Sequence, residues 1–287
     1  MKTGICTWSL EVNDIKSPYD YIDYAKKAGF QTIDLSLGGY RKFFDWMKLS
    51  KKEIIKHFTE FKKYADDQGI EISQTHAPYA VFPKFLDKDF LKSQKRSILV
   101  TGLVGAEYMV LHPIAFPLYG GKAFDKEEMD FNLQFFRKLL PELKKNNVKA
   151  AIENIFDWDK PNIRNIQFSY PEGIKKLLDK LPEEYFVHCL DTGHLNIAGK
   201  DQTEMIRLIG KRLKVLHIHD NYGSLDQHVL PGQGNINWND FTQALAEIDF
   251  SGAISLEVKP ENDFFPASKI LAEQLISQII EKRQFIR

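Results

Sequence analysis

A chain of 287 residues, 43% apolar and 13% aromatic, has enough hydrophobic surface to bury a large core, as one domain or two. Lys plus Arg equals Asp plus Glu at 39 each, and the resulting formal charge of zero argues against a nucleic-acid binder, which usually carries a basic surplus. Cys6 and Cys189 lack the number and spacing of a disulfide framework, and no apolar run is long enough for a signal core or a membrane span, so a soluble, cytoplasmic protein is expected.

Short apolar runs alternate with longer amphipathic segments from end to end, the pattern of repeated strand–helix units around a parallel sheet. In chain order the predicted strands are 4–7, 32–35, 71–75, 108–111, 149–153, 186–190, 215–218 and 253–257. Helices are predicted near 17–28, 50–68, 87–104, 126–146, 170–181, 202–211, 238–247 and 265–283. Ser50-Lys51-Lys52-Glu53 has the capping-box spacing that satisfies free N–H groups at a helix start, and Gly29 and Gly69 stand where helices should stop. Eight units without a linker predict an α/β fold, a single (β/α)8 TIM barrel over 1–287. The alternative, an open doubly wound sheet, more often has a Gly-rich loop after its first strand, and Cys6-Thr7-Trp8 is no such loop.

In a barrel, function sits at the C-terminal strand ends, and metal-type side chains collect there. His76, His112, Glu153, Asp191 with His194, His217 and Glu257 all end strands or lie just beyond them. Three imidazoles and two carboxylates fall within the twelve positions from His217 to His228. Of eight histidines, only His57 and His188 lie elsewhere; His57, beside Lys56 in a helix, reads as a surface residue, and His188 as half-buried with a local hydrogen bond. Glu153 and Glu257 end apolar runs, where an unpaired charge is expensive, so each needs a metal or, in the plainer reading, a Lys or Arg partner. Asp191 serves equally well as ligand or helix cap, with Gly193 allowing a sharp turn. His217 and His219 share a face, His217 being the favoured ligand and His219 a supporting or substrate group. Asp226 and His228 make a further pair, or simply a polar loop.

The order His76, His112, Glu153-Asn154, Asp191-Thr192-Gly193-His194, His217-x-x-Asp220, Asp226-x-His228 and Glu257 resembles the xylose isomerase-like barrel superfamily, which joins sugar isomerases and epimerases with endonuclease IV. The resemblance is close over 76–257 and looser over the rest. It implies, from single-metal ketose epimerases and inosose dehydratases, a divalent ion (Mn or Zn first) on Glu153, Asp191, His217 and Glu257. The activity then expected is isomerisation or epimerisation of a small sugar or polyol. Glu153 and Glu257 would exchange the proton through a metal-stabilised enediolate, and His194 would hold a hydroxyl. Trp8, Tyr79, Phe116 and Trp158 are candidate walls for the substrate, with His219 a further contact.

Endonuclease IV instead implies up to three zinc ions and phosphodiester hydrolysis, its nine ligand types all being present once His76, His112, His194, Asp226 and His228 are added. A non-catalytic sugar-binding barrel is the third reading. The expected partner is a small carbohydrate rather than nucleic acid or a membrane, and a homo-oligomer stays open.

Overall fold

Residues 1–11, 15–80, 88–116, 125–156, 166–259 and 265–286 are described by a computed structural model. The strands are β1 (Thr3–Cys6), β2 (Thr32–Ser36), β3 (Glu71–His76), β4 (Tyr108–Leu111), β5 (Lys149–Glu153), β6 (Phe186–Asp191), β7 (Leu213–His217) and β8 (Ile254–Leu256). All seven laddered pairs are parallel, in the order β7-β6-β5-β4-β3-β2-β1-β8. Ile218, just past β7, closes the wall: its N–H donates to Ser255 O at 2.9 Å and its carbonyl accepts from Glu257 N at 2.9 Å. The (β/α)8 barrel read from the alternation is the fold, and the open-sheet alternative falls.

Ten α-helices are described: α1 (Tyr19–Ala28), α2 (Leu37–Tyr40), α3 (Lys51–Gln68), α4 (Lys88–Leu103), α5 (Asp125–Asn146), α6 (Pro171–Leu178), α7 (Thr192–Ile197), α8 (Gln202–Ile209), α9 (Trp238–Glu247) and α10 (Phe265–Ile286). α3 begins with the expected capping box, and Gly29 and Gly69 end α1 and α3 with φ of 82° and 73°. α2 and α7 are additions. Each spans one or two turns, too short for helical periodicity to show in sequence.

Strand alternation sorts the side chains. Ile33, Leu35, Ile152, Leu190 and Leu216 face outward and pack with Phe58, Phe61, Phe136 and Phe241 of the helices in one large core. Each such burial contributes roughly 2 kcal/mol. Inward, Val110, Ala151, Val187, Cys189 and Val215 make a small separate cluster. Two residues further up the same faces stand His112, Glu153, Asp191 and His217. The apolar plug of the barrel thus becomes the floor of a polar site.

Two histidine expectations need correction. His57 is half-buried rather than a surface residue: its ring stacks on Phe44 at 3.6 Å between centroids, and Nε2 lies 2.8 Å from the Tyr40 hydroxyl. His188 is fully buried, with Nδ1 2.8 Å from Ile152 O, and burial pushes its imidazole down to about 4. Among the described residues, no helix is long and apolar enough to cross a membrane.

Candidate metal and active site

The strands deliver the expected residues to one place. At the C-terminal mouth a cavity of about 500 Å³ is lined by His76, His112, Glu153, His194, Asp226, His228 and Glu257, among others. Ligand-type atoms converge in groups, within 4.8 Å of one another: His76 with His112 and Glu153, Asp191 with His217 and Glu257, and His219 with Asp226 and His228. Glu153 links them. Its Oε2 lies 3.2 Å from His76 Nε2 and 3.3 Å from His112 Nε2, while Oε1 lies 3.4 Å from both His194 Nδ1 and His217 Nδ1. Glu257 Oε2 stands 3.0 Å from His217 Nδ1. Among the described residues the ion pairs of both glutamates are therefore with histidines, not with the Lys or Arg of the plainer reading.

Orientation of the rings tests whether a cation fits. An imidazole that binds metal through one nitrogen usually donates the other N–H to a carbonyl or carboxylate. His76, His194 and His228 place Nδ1 on the backbone carbonyls of Ala77, Asn154 and Glu257 at 2.8, 2.9 and 2.7 Å. Each then turns Nε2 toward a carboxylate, Glu153 for His76 and Asp226 for the other two. His217 is reversed: Nε2 is tied to Asp34 Oδ2 at 2.7 Å, and the buried Nδ1, which faces Glu153 and Glu257, makes no hydrogen bond. Tied outer nitrogens and inward carboxylate oxygens are a donor set that could hold a divalent cation.

Of the two duties weighed for Asp191, the structure shows the cap. Its Oδ1 accepts from His194 N at 2.7 Å as the cap of α7, and both carboxylate oxygens lie about 3 Å from His219 Nε2. The Asn154 side chain pairs with Asp191 N and O, both at 2.9 Å, continuing the β5–β6 pairing just beyond Glu153.

Charges answer one another across the site. Burial pushes the carboxyls of Glu153, Asp226 and Glu257 up, but the facing imidazoles outweigh it, holding all three below the usual range, Glu257 at about 2. Burial pushes the imidazoles of His76, His194, His217 and His228 down. The anionic groups around them outweigh it in turn, raising all four, His228 to about 9. His112 is pushed down by burial. A divalent cation would supply the same counter-charge that these imidazoles otherwise provide as imidazolium.

The expected walls divide. Trp8, tilted on His228 at 4.9 Å, and Tyr79, stacked on His112 at 5.2 Å, line the cavity. Phe116 does not; it packs on Phe131 of α5 at 5.5 Å. His219 is fully buried behind the cavity, its ring 3.8 Å from that of His228, and so is no substrate contact. Trp158 lies outside the described residues. Asp34, Gln74 and Lys259 were not foreseen. A carboxylate inside the apolar run of β2 is the same signal that singled out Glu153, and it could have marked Asp34.

Over 172 residues the chain is 29% identical to an uncharacterised protein of Methanocaldococcus jannaschii, a match that spans 59% of this chain and 57% of that one. It is 22% identical over 248 residues to the D-psicose 3-epimerase of Enterocloster bolteae, covering 83% and 75% of the two chains. Against the probable endonuclease 4 of Mycoplasmopsis synoviae it is 27% identical over 233 residues, covering 75% and 79%. A D-tagatose 3-epimerase-like protein superposes with a TM-score of 0.79 at 23% identity, covering 98% of this chain and 99% of that one. The IolI protein with a binding zinc atom gives 0.72 at 16% identity, covering 99% and 98%. At such identities the structural likeness concerns the fold. Residues 22–279 match the model of the xylose isomerase-like TIM barrel, and the chain belongs to that family.

Proposed function

We propose that this barrel is a divalent-metal-dependent isomerase or epimerase of a small sugar or related polyol. The observation that carries this reading is the pair Glu153 and Glu257. They reach in from non-neighbouring strands to 3.4 and 3.0 Å from the same nitrogen, His217 Nδ1, at the wall of one cavity. Glu153, Asp191, His217 and Glu257 would hold a Mn²⁺ or Zn²⁺ ion, which when bound supplies Lewis-acid polarisation of a substrate carbonyl and its neighbouring hydroxyl.

The proton work falls to the two glutamates. Held as carboxylates by the surrounding imidazoles, they can take a proton from the carbon next to the carbonyl on one side and return it on the other. Glu257, with 18% of its side chain exposed, is the more open to substrate. His194 is placed to hold a hydroxyl, and Trp8 and Tyr79 offer faces for the apolar side of a sugar. Lys259 is the one Lys or Arg among the described residues of the lining, which suits a neutral polyol better than a phosphate backbone. Similarity to a D-psicose 3-epimerase supports the same reading.

A second reading, a multi-zinc phosphodiesterase, draws support from the convergence of His76 and His112 on Glu153 and of Asp226 with His228, and from the likeness to a probable endonuclease 4. Elemental analysis of protein purified without chelator separates them: about one ion per chain is expected for the isomerase and about three for the hydrolase. In D₂O, ketohexoses such as D-psicose and D-tagatose should lose the proton next to the carbonyl by ¹H NMR. Glu153→Gln and Glu257→Gln should slow that loss by about 10²–10⁴-fold with the fold intact. Normal turnover in either variant sinks the two-carboxylate reading.

A further inference from the structure

Below the ligand groups, a polar pair inside the barrel has no part in the proton work. Asp34, on β2, is fully buried, and Gln74, on β3, is 2% exposed. Asp34 Oδ2 accepts from Gln74 Nε2 at 2.8 Å and from His217 Nε2 at 2.7 Å, a contact across 183 positions of sequence. The other oxygen, Oδ1, is buried without a hydrogen-bond partner. Burying a carboxylate costs several kcal/mol unless its partners compensate, and here half of it is left uncompensated. A site arranged for stability alone would not choose this.

His76, His194 and His228 tie their outer nitrogens to backbone carbonyls, whereas the outer nitrogen of His217 meets a carboxylate. A carboxylate oxygen accepts, so Nε2 carries the hydrogen, and when a cation is bound Nδ1 is the nitrogen left to give it a lone pair, on the side of Glu153 and Glu257. Full negative charge behind the ring also makes Nδ1 a stronger donor than a carbonyl dipole could.

We infer that Asp34, steadied by Gln74, is the positioning residue of His217: it fixes the Nε2–H tautomer and the ring plane, and thereby tightens cation binding at Nδ1. This rests on the reading of the centre as a metal site. It adds a residue at the middle of β2, a strand that none of the expected ligands occupies.

The test measures zinc affinity by chelator competition for wild type, Asp34→Asn, Asp34→Ala and Gln74→Leu, with circular dichroism as the check on folding. Long-range ¹H–¹⁵N spectra of histidine-labelled, zinc-loaded protein report the tautomer of His217. Affinity should fall about 10-fold in Asp34→Asn and up to about 100-fold in Asp34→Ala, with a smaller loss in Gln74→Leu. In Asp34→Ala the Nε2–H proton of His217, its acceptor gone, should shift upfield and exchange faster with solvent, Nε2 staying protonated while Nδ1 holds the ion. Asp34→Asn keeps the size and one acceptor, and carries the test if the alanine variant fails to fold. Folded variants that bind zinc as tightly as wild type, with the shift and exchange of the His217 Nε2–H proton unchanged, overturn the role given to Asp34. Wild-type protein that binds no zinc overturns the metal reading itself.

Discussion

A methyl group at Gly193 would stand 1.9 Å from His219 Cε1 and 2.4 Å from Nδ1. Its φ is not positive, so the glycine serves the neighbouring ring rather than the sharp turn expected of it. That ring is wedged between the Asp191 carboxylate and the His228 imidazole. Gly193→Ala must push His219 aside and disturb both. A loss of about 1–3 kcal/mol by thermal unfolding is expected, together with lost metal content by elemental analysis. Chemistry that is costly to bury is legible in sequence: Glu153 and Glu257 stood out because each ends an apolar run. Asp34 carried the same mark, but its justification, His217, lies on the far side of the barrel. His57 misled for the opposite reason. Lys56 beside it speaks of solvent, while the Phe44 and Tyr40 that cover it come from another loop and helix.

Between β7 and α9 the chain makes a long excursion organised by one carboxylate. Asp220, fully buried, accepts from Asn221 N, Gly232 N, Ile236 N and Trp238 Nε1, between 2.8 and 3.3 Å. Its own N–H and carbonyl pair with Val229, the neighbour of His228, whose φ of 49° is unusual for a side chain of that size. Asp220 is thus the frame on which His228 is hung. Asp220→Ala strands four donors, those of Asn221 and Ile236 buried, at about 1–3 kcal/mol for each buried one, and should cost at least about 3 kcal/mol. Hydrogen exchange should quicken across 221–236 first. The boundaries of the eight strands were legible to within two residues, because a short continuous apolar run, buried on both faces of the wall, is a local property. The loop was visible only as a density of polar residues, since contacts from 220 to 238 follow no period.

Across the whole molecule, the eightfold alternation specified the barrel, and the barrel then explained why the ligand-type residues converge. No local signal revealed where the wall joins. β7 and β8 end the hydrogen-bonded order, and outside the named strands one bridge, Ile218 to Leu256, joins them. Ile218 lies between His217 and His219, and its carbonyl receives the amide of Glu257. The candidate site therefore straddles the seam of its own scaffold. An ion shared by His217 and Glu257 would act as a clasp on the weakest joint of the wall: to part the seam would be to let the ion go. Zinc should slow amide exchange at Ile218 and Glu257 far more than at Ala151, on the continuous side of the barrel, and equal slowing at all three would unseat the idea. In such a protein, holding the reactant and holding the cylinder shut become one act.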